Sequence, residues 1–416
     1  MRYHGAMNAP NTSLPSLPDV SDLIQHPYRP PATFDAPQPG VFKASTVYFP
    51  TVADMRSRDW MDKSAYTYGL HGTPTSYILE ERIAHLEGGR YSVLVPSGLA
   101  ALSLASLALL SQGDHVLLPD NVYGPNKVFA LGDLNRLGIA HDLYDPMDPQ
   151  DLQQRLRPNT RLVWVEAPGS VTMEFPDLPA LVRIAQAHGA RVALDNTWGA
   201  GLAFAPFDLL GDGQCAVDLS AHALSKYPSG GGDVLMGAVT TRTPEMHRLI
   251  QLTHMRLGLG VGMNDVESVL RSLPSIGLRY AAQDQTAREL AHWWQAQSAC
   301  VQVLHPALAG APGHAHWQAL CGREGAGRAA GLFSILLDER FTQAQVDAFV
   351  DGLQRFRIGY SWGGPVSLVV PYDLPAMRRQ WPSHLRRGWL VRFSVGLESA
   401  AFLIDDLRQS MQAHLT

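Results

Sequence analysis

The stretch "YSVLVPSGLAALSLASLALL", Tyr91 to Leu110, changes character in its middle. It begins as a short apolar run rich in valine, the length and composition of a strand buried on both faces. It ends in a run dominated by leucine and alanine, which are good helix formers. Pro96, Ser97 and Gly98 join the two parts. A strand that turns through serine and glycine directly into a helix is half of a βαβ unit.

Working outward, the same pattern recurs. "HVLLPD" (115–120) leads into "KVFALGDLNRLG" (127–138), and "RLVWVEAPG" (161–169) leads toward "LPALVRIAQAHG" (178–189). "RVALDNTW" (191–198), "DVLMGAVTT" (233–241) and the helical "PEMHRLIQLTH" (244–254) follow. Short apolar strands alternating with amphipathic helices predict an α/β fold with a mostly parallel sheet flanked by helices. After about Ser272 the pattern changes. "YAAQDQTARELAHWWQAQ" (280–297) reads as a long helix, and "GLFSILLD" (331–338), "SLVVP" (367–371) and "WLVRFSVG" (389–396) read as strands. The expected division is an N-terminal arm over residues 1–62, a large domain over 63–272 and a smaller α+β domain over 273–416.

The chain has 416 residues, more than one core usually holds, and 46% of them are hydrophobic. Its net charge of −5 comes without basic runs, so nucleic acid is not an expected partner. No apolar run reaches the roughly 18 residues of a membrane helix, so no membrane partner is expected. The first residues lack a basic run followed by an apolar one, so no secretory leader is expected. Cys215, Cys300 and Cys321 form no CxxC pair, which fits a reducing cytoplasm. "GHAHW" (313–317) offers two histidines without a third ligand, so no metal is expected.

Ligands of open α/β sheets sit beyond the carboxyl ends of the strands. Ser97 and Gly98, Asp120 and Tyr123, Glu166, and Asp195 all fall at such ends. Each alone is an ordinary cap or turn residue; together they converge on one crevice. The stretch "SAHALSKYPSGGGDVLMG" (220–237) sets one lysine, Lys226, among small, mostly uncharged neighbours. These groups suit a cofactor with a phosphate, an aromatic ring and an aldehyde. Gly98 opens a helix whose N-terminal N–H groups attract a phosphate. Tyr123 is placed to stack on a ring, and Asp195 to pair with a protonated ring nitrogen. Lys226 is placed to bind the aldehyde as a Schiff base, and Ser225 to add a hydroxyl donor. The cofactor so described is pyridoxal 5'-phosphate.

From about Tyr68 onward the chain resembles the Cys/Met-metabolism family of pyridoxal-phosphate enzymes, and within it the β-lyases. "EAPGSVTMEFPDLPAL" (166–181), "LDNTWGAG" (194–201), "SKYPSGGGDVLMG" (225–237), "HPALAGAPGH" (305–314), "YSWGGPVSL" (360–368) and "VRFSVGLES" (391–399) carry the resemblance. It implies the aspartate-aminotransferase-like fold (fold type I), with a large cofactor domain and a small C-terminal domain. It also implies a homotetramer built from dimers that share active sites. Lys226 is then the Schiff-base lysine and the main acid and base. Asp195 faces the pyridine nitrogen, Tyr123 stacks on the ring, and Gly98, Leu99 and Ser225 hold the phosphate. Tyr68 reaches the site of the neighbouring subunit. Arg392 grips the substrate α-carboxylate, for which a planar guanidinium is suited. Tyr360, Ser361 and Trp362 line the substrate side. The implied reaction is α,β-elimination of L-cystathionine to L-homocysteine, pyruvate and ammonia. Cysteine desulfhydration, γ-elimination or γ-replacement, and a silent cofactor-binding relative are the alternatives.

The chain departs from this resemblance in "YGLHGTPT" (68–75). Leu70 stands where relatives carry an arginine that binds the phosphate of the next subunit. His71, the adjacent residue, is the expected substitute cation.

Overall fold

The computed structural model describes residues 37–63, 65–322, 325 and 327–415. Most of the expected N-terminal arm lies outside the described residues; its described part holds one short helix, Val52–Ser57. The chain from Gly40 onward forms one compact unit that contains two sheets.

The larger sheet has seven strands: β1 (Tyr91–Val95), β2 (His115–Pro119), β3 (Ala140–Tyr144), β4 (Thr160–Glu166), β5 (Arg191–Asp195), β6 (Leu219–His222) and β7 (Gly237–Thr241). Their spatial order is β1-β7-β6-β5-β4-β2-β3. The strands from β2 to β6 pair in parallel, while β7 runs antiparallel to both β1 and β6. The continuous apolar runs follow from burial on both faces. In β4, Val163 and Val165 enter one core while Leu162 and Trp164 enter the other. The helices Gly98–Leu109, Leu178–His188 and Pro244–Leu257 start where Ser97, Asp177 and Thr243 accept a backbone N–H of the first turn.

The smaller sheet comprises β8 (Cys300–Leu304), β9 (Leu332–Leu337), β10 (Arg357–Ile358), β11 (Leu368–Tyr372) and β12 (Trp389–Ser394). Its order is β10-β11-β12-β9-β8. On β9, Phe333, Ile335 and Leu337 join a core with Trp294, Phe349 and Leu403 of the covering helices. Leu332 and Leu336 point the other way, into the core that also holds Val163 and Leu194 of the large sheet. Arg392 of β12 follows the same alternation: Val391 and Phe393 enter the helix-covered core, Leu390 the shared one. The guanidinium is therefore carried on the face that meets the large sheet.

Three local readings differ from expectation. β3 ("AHDLY") and β6 ("LSAH") carry His, Asp and Ser, so their strand character is hidden from a hydrophobic reading. On β6 the polar side chains meet a distant acceptor, Glu87, which receives Ser220 Oγ at 2.7 Å and pairs with His222 Nδ1 at 2.7 Å. The strand expected from Asp233 begins only at Gly237, because Met236 instead exchanges hydrogen bonds with the Ser225 hydroxyl. The helix after β2 breaks into Gly124–Phe129 and a π turn, Ala130–Leu134.

Candidate active site

A cleft of about 350 Å³ opens beyond the carboxyl ends of β4, β5 and β6. Gly98, Leu99, Tyr123, Asp195, Ser225, Lys226, Ser361 and Trp362 all line it. A second chamber of about 460 Å³ adjoins it through Tyr123, Ser170, Lys226, Ser361 and Trp362, and is closed by Tyr360, Tyr372, Met377 and Arg392.

One wall is the start of the helix Gly98–Leu109. A Cβ at position 98 would lie 2.5 Å from Ala223 Cβ, so only glycine lets this helix terminus approach the backbone before the lysine. Ser97 caps the helix by accepting the Ala100 N–H at 3.0 Å, leaving the positive end of the helix dipole over the cleft.

The floor carries two carboxylates on adjacent strands, buried Glu166 and half-buried Asp195, which are register partners across β4 and β5. Asp195 accepts the Thr197 backbone N–H at 3.1 Å. Burial raises its pKa, against the opposing pull of Thr197, His222 and Lys226. Burial and then Asp195 push Glu166 up to about 8. Two carboxylates this close are both ionised only when a cation joins them.

Lys226 Nζ donates to Ser361 Oγ at 2.7 Å and lies 4.6 Å from the centre of the Trp362 ring. Burial, followed by the nearby Arg392, lowers its pKa to about 8, while Asp195 opposes the shift. Ser361 holds a positive φ of 124°, a strained value for a residue with a side chain. Its placement against the lysine is therefore imposed by the surrounding fold.

Arg392 is only 4% exposed. Its guanidinium lies 5.1 Å from the Tyr372 ring centre and 5.3 Å from that of Trp362, and Nη1 donates to the Ser170 carbonyl at 3.1 Å. Among the described residues it has no carboxylate partner. A buried, unpaired guanidinium is a site for a small anion.

Several expected residues stand apart. Tyr360 is 79% exposed and touches Tyr372 edge-on at 6.2 Å. Tyr68, 47% exposed and bridged to Thr46, does not line the Lys226 cleft of its own chain. Leu70 and His71 line a separate small cavity with Trp60, His254 and Gly260. His71 Nδ1 is 2.8 Å from Thr67 Oγ1, and burial together with His254 lowers its pKa. The Ser225 hydroxyl faces the cleft but is engaged with Met236, donating to its carbonyl at 3.2 Å.

Sequence reading assigned no role to Ser170, Thr197 or His222, all of which line the cleft. Ser170 and Thr197 fall within quoted motifs, and His222 precedes the lysine by four residues; their contacts had no local signature. Among the described residues no helix is long and apolar enough to cross a membrane. No cluster of three or more potential metal ligands occurs among them.

The chain matches the family described as Cys/Met metabolism PLP-dependent enzyme over residues 21–412, and it belongs to that family. It is 38% identical over 378 residues to a putative cystathionine beta-lyase of Rhizobium johnstonii, covering 90% of this chain and 91% of that one. A cystathionine beta-lyase of Bordetella avium is 37% identical, with 95% and 98% covered. An L-alanine/L-glutamate racemase of Wolbachia pipientis is 33% identical, with 90% and 92% covered. Among solved structures, a cystathionine gamma synthase of Xanthomonas oryzae pv. oryzae, in complex with aminoacrylate and cysteine, superposes with a TM-score of 0.81. It is 28% identical, covering 92% of this chain and 95% of that one. The fold is thus the aspartate-aminotransferase-like fold of these enzymes, and the cofactor is pyridoxal phosphate.

The residues present fit that cofactor. Asp195 is a half-buried carboxylate in want of a cation, which a protonated pyridine nitrogen supplies. The glycine-opened helix terminus offers N–H groups to a phosphate. Lys226 is the amine beside them.

Proposed function

We propose that this enzyme cleaves the Cβ–S bond of L-cystathionine by α,β-elimination, releasing L-homocysteine, pyruvate and ammonia. The observation that carries this reading is the set of half-buried Lys226 and Asp195 and buried, unpaired Arg392 around two adjoining chambers. The names of the Rhizobium and Bordetella relatives support the choice of substrate. The "YSWGG" segment supports β over γ chemistry, because it carries no acidic side chain.

Bound at Lys226, pyridoxal phosphate supplies an aldehyde for the substrate amine and a ring that withdraws electrons from Cα. Asp195 would hold a proton on the ring nitrogen, and Tyr123 would face the ring. Gly98 and Leu99 give backbone donors to the phosphate. Arg392 takes the α-carboxylate in a bidentate grip, and Tyr360 and Trp362 bound the space for the leaving thiol. Lys226 Nζ removes the Cα proton as the electron pair moves to expel sulfur from Cβ, then returns a proton to the thiolate. Its lowered pKa, about 8, makes the neutral amine accessible near neutral pH. The three-carbon remainder takes up water and leaves as pyruvate and ammonia.

We also propose a homo-oligomer, a tetramer built from two dimers, in which Tyr68 of a second copy completes the cleft. That Tyr68 is exposed and does not line the cleft of its own chain supports this.

The test is a product assay on the holoenzyme with L-cystathionine. Pyruvate with homocysteine is expected; 2-oxobutyrate as the main product would overturn the reading. A second reading, amino-acid racemisation, is favoured by the Wolbachia relative. It needs the same Cα proton removal, so appearance of D-alanine from L-alanine faster than pyruvate from cystathionine would select it. An L-cysteine arm reads desulfhydration as sulfide.

A further inference from the structure

Glu166 is buried, and it is not needed to explain the cofactor contacts above. Its two oxygens have separate employments. Oε2 accepts the backbone N–H of Tyr123 at 2.8 Å, and Oε1 accepts the backbone N–H of Ser170 at 3.0 Å. Tyr123 presents the ring that lines the cleft. The carbonyl of Ser170 accepts Arg392 Nη1 at 3.1 Å. One carboxylate therefore links the tyrosine platform and, through the single residue Ser170, the guanidinium. Its strand partner is Asp195, at the end of β5.

We infer that Glu166 is a positioning residue that sets the ring-stacking tyrosine and the carboxylate-binding arginine in register with each other. The inference rests on the reading of the Lys226 cleft proposed above. Tyr123 and Ser170 both lie in turns after strands, at the start of the helix Gly124–Phe129 and just past β4. Turns of this kind have no ladder to fix them. A buried acceptor with two oxygens aimed at two backbone donors does fix them, because leaving either N–H unmet inside the protein is costly. Glutamate suits this task and glutamine does not. Glutamine has one acceptor oxygen, and its amide NH2 would face a second donor.

The test uses the holoenzyme and glycine, an amino acid with an α-carboxylate and amine but no β leaving group. Glycine binding is followed by the change in the visible cofactor band, and cofactor retention by dialysis. Glu166→Gln should weaken glycine binding and cofactor retention by about tenfold each, the scale of one lost hydrogen bond to a charged group. Asp406→Asn is the control. Asp406 is also buried and also accepts backbone N–H groups, from Gln354 and Arg355, far from the cleft. That variant should lose stability and keep both affinities. If Glu166→Gln does not fold, Glu166→Asp, too short to reach both donors, should show the same double weakening. Native affinities in a Glu166 variant whose stability has fallen like that of Asp406→Asn would overturn the inference. Because glycine undergoes no elimination, failure of the cystathionine assay with the glycine result intact would count against the proposed reaction alone.

Discussion

Glu174 and Lys226 are centres of two buried charged clusters in the same unit, and their charges are met differently. Around Glu174 every charge has a partner. The carboxylate accepts Arg378 Nη1 at 2.7 Å, Thr172 Oγ1 at 2.6 Å and Asn121 Nδ2 at 2.9 Å, and contacts His384 Nε2 at 2.5 Å. Arg378 also reaches Asp120 at 3.0 Å, and Asp120 in turn holds Lys127 at 3.1 Å. Around Lys226 the charges are only half met. The lysine donates to a neutral serine, Arg392 to a neutral carbonyl, and Asp195 accepts from a backbone N–H. A satisfied buried network fixes one arrangement of the chain, here the segment 377–385 against the β2 end of the large sheet. An unsatisfied one keeps its electrostatic energy for a ligand. The difference separates an architectural cluster from a chemical one more sharply than burial or composition does.

Substitutions in the two clusters should therefore fail in opposite ways. Lys226→Ala should lower turnover by about 10^3-fold or more, since no other amine lines the cleft to move the proton. Its urea midpoint should stay close to native, because an unpaired, half-buried cation is removed. Borohydride reduction followed by peptide mapping should tag Lys226 in the native enzyme; a pyridoxyl tag on another lysine would break the comparison.

Arg378→Met should do the reverse. It leaves Glu174 and Asp120 short of a cation and should cost about 3–5 kcal/mol of stability. The check is the urea midpoint at unchanged m value. A midpoint like that of the native protein would mean that the Glu174 cluster carries no architecture.

Arg392→Lys should raise KM for cystathionine by about 1.5–3 kcal/mol of lost contact with a carboxylate, with the cofactor retained. An unchanged KM would remove Arg392 from the substrate's path.

Acid titration sharpens the same contrast at lower cost. Burial alone would raise the pKa of Glu174, but the His384 hydrogen bond and Arg378 outweigh it and hold it at about 2, against 4.5 for an unperturbed glutamate. A carboxylate depressed in the folded state stabilises it above the unfolded pKa. That stabilisation is lost as pH falls from about 4.5 through about 2. Glu174→Gln should flatten the stability profile in that window, as read by unfolding at stepped pH. The smallest effect is expected from His71→Ala. With His71 held below its ordinary pKa in its own cavity, cofactor retention at neutral pH should scarcely change. A marked loosening would restore His71 as the missing phosphate cation.

Local sequence determined the alternation of strands and helices because its signals act over a few residues. Valine runs such as "YSVLV" and "RLVWV" need burial on both faces, and the Ser97, Asp177 and Thr243 caps start helices by contacts three residues away. The motifs also marked Lys226, Asp195, Tyr123 and Arg392, since lysine, aspartate and arginine in apolar or small-residue stretches are conspicuous. Tertiary structure alone decided which charges are paired. Arg378 finds Glu174 across 204 positions and Arg392 finds the Ser170 carbonyl across 222, and no local pattern records a partner at that range. It also decided that "LSAH" is a strand, by setting Glu87 beneath its polar residues, and that Leu70 and His71 lie in a cavity of their own. The physical reason is the same throughout. Hydrophobic period is a property of neighbouring residues, whereas the satisfaction of a buried polar group depends on whatever the fold brings within about 3 Å of it.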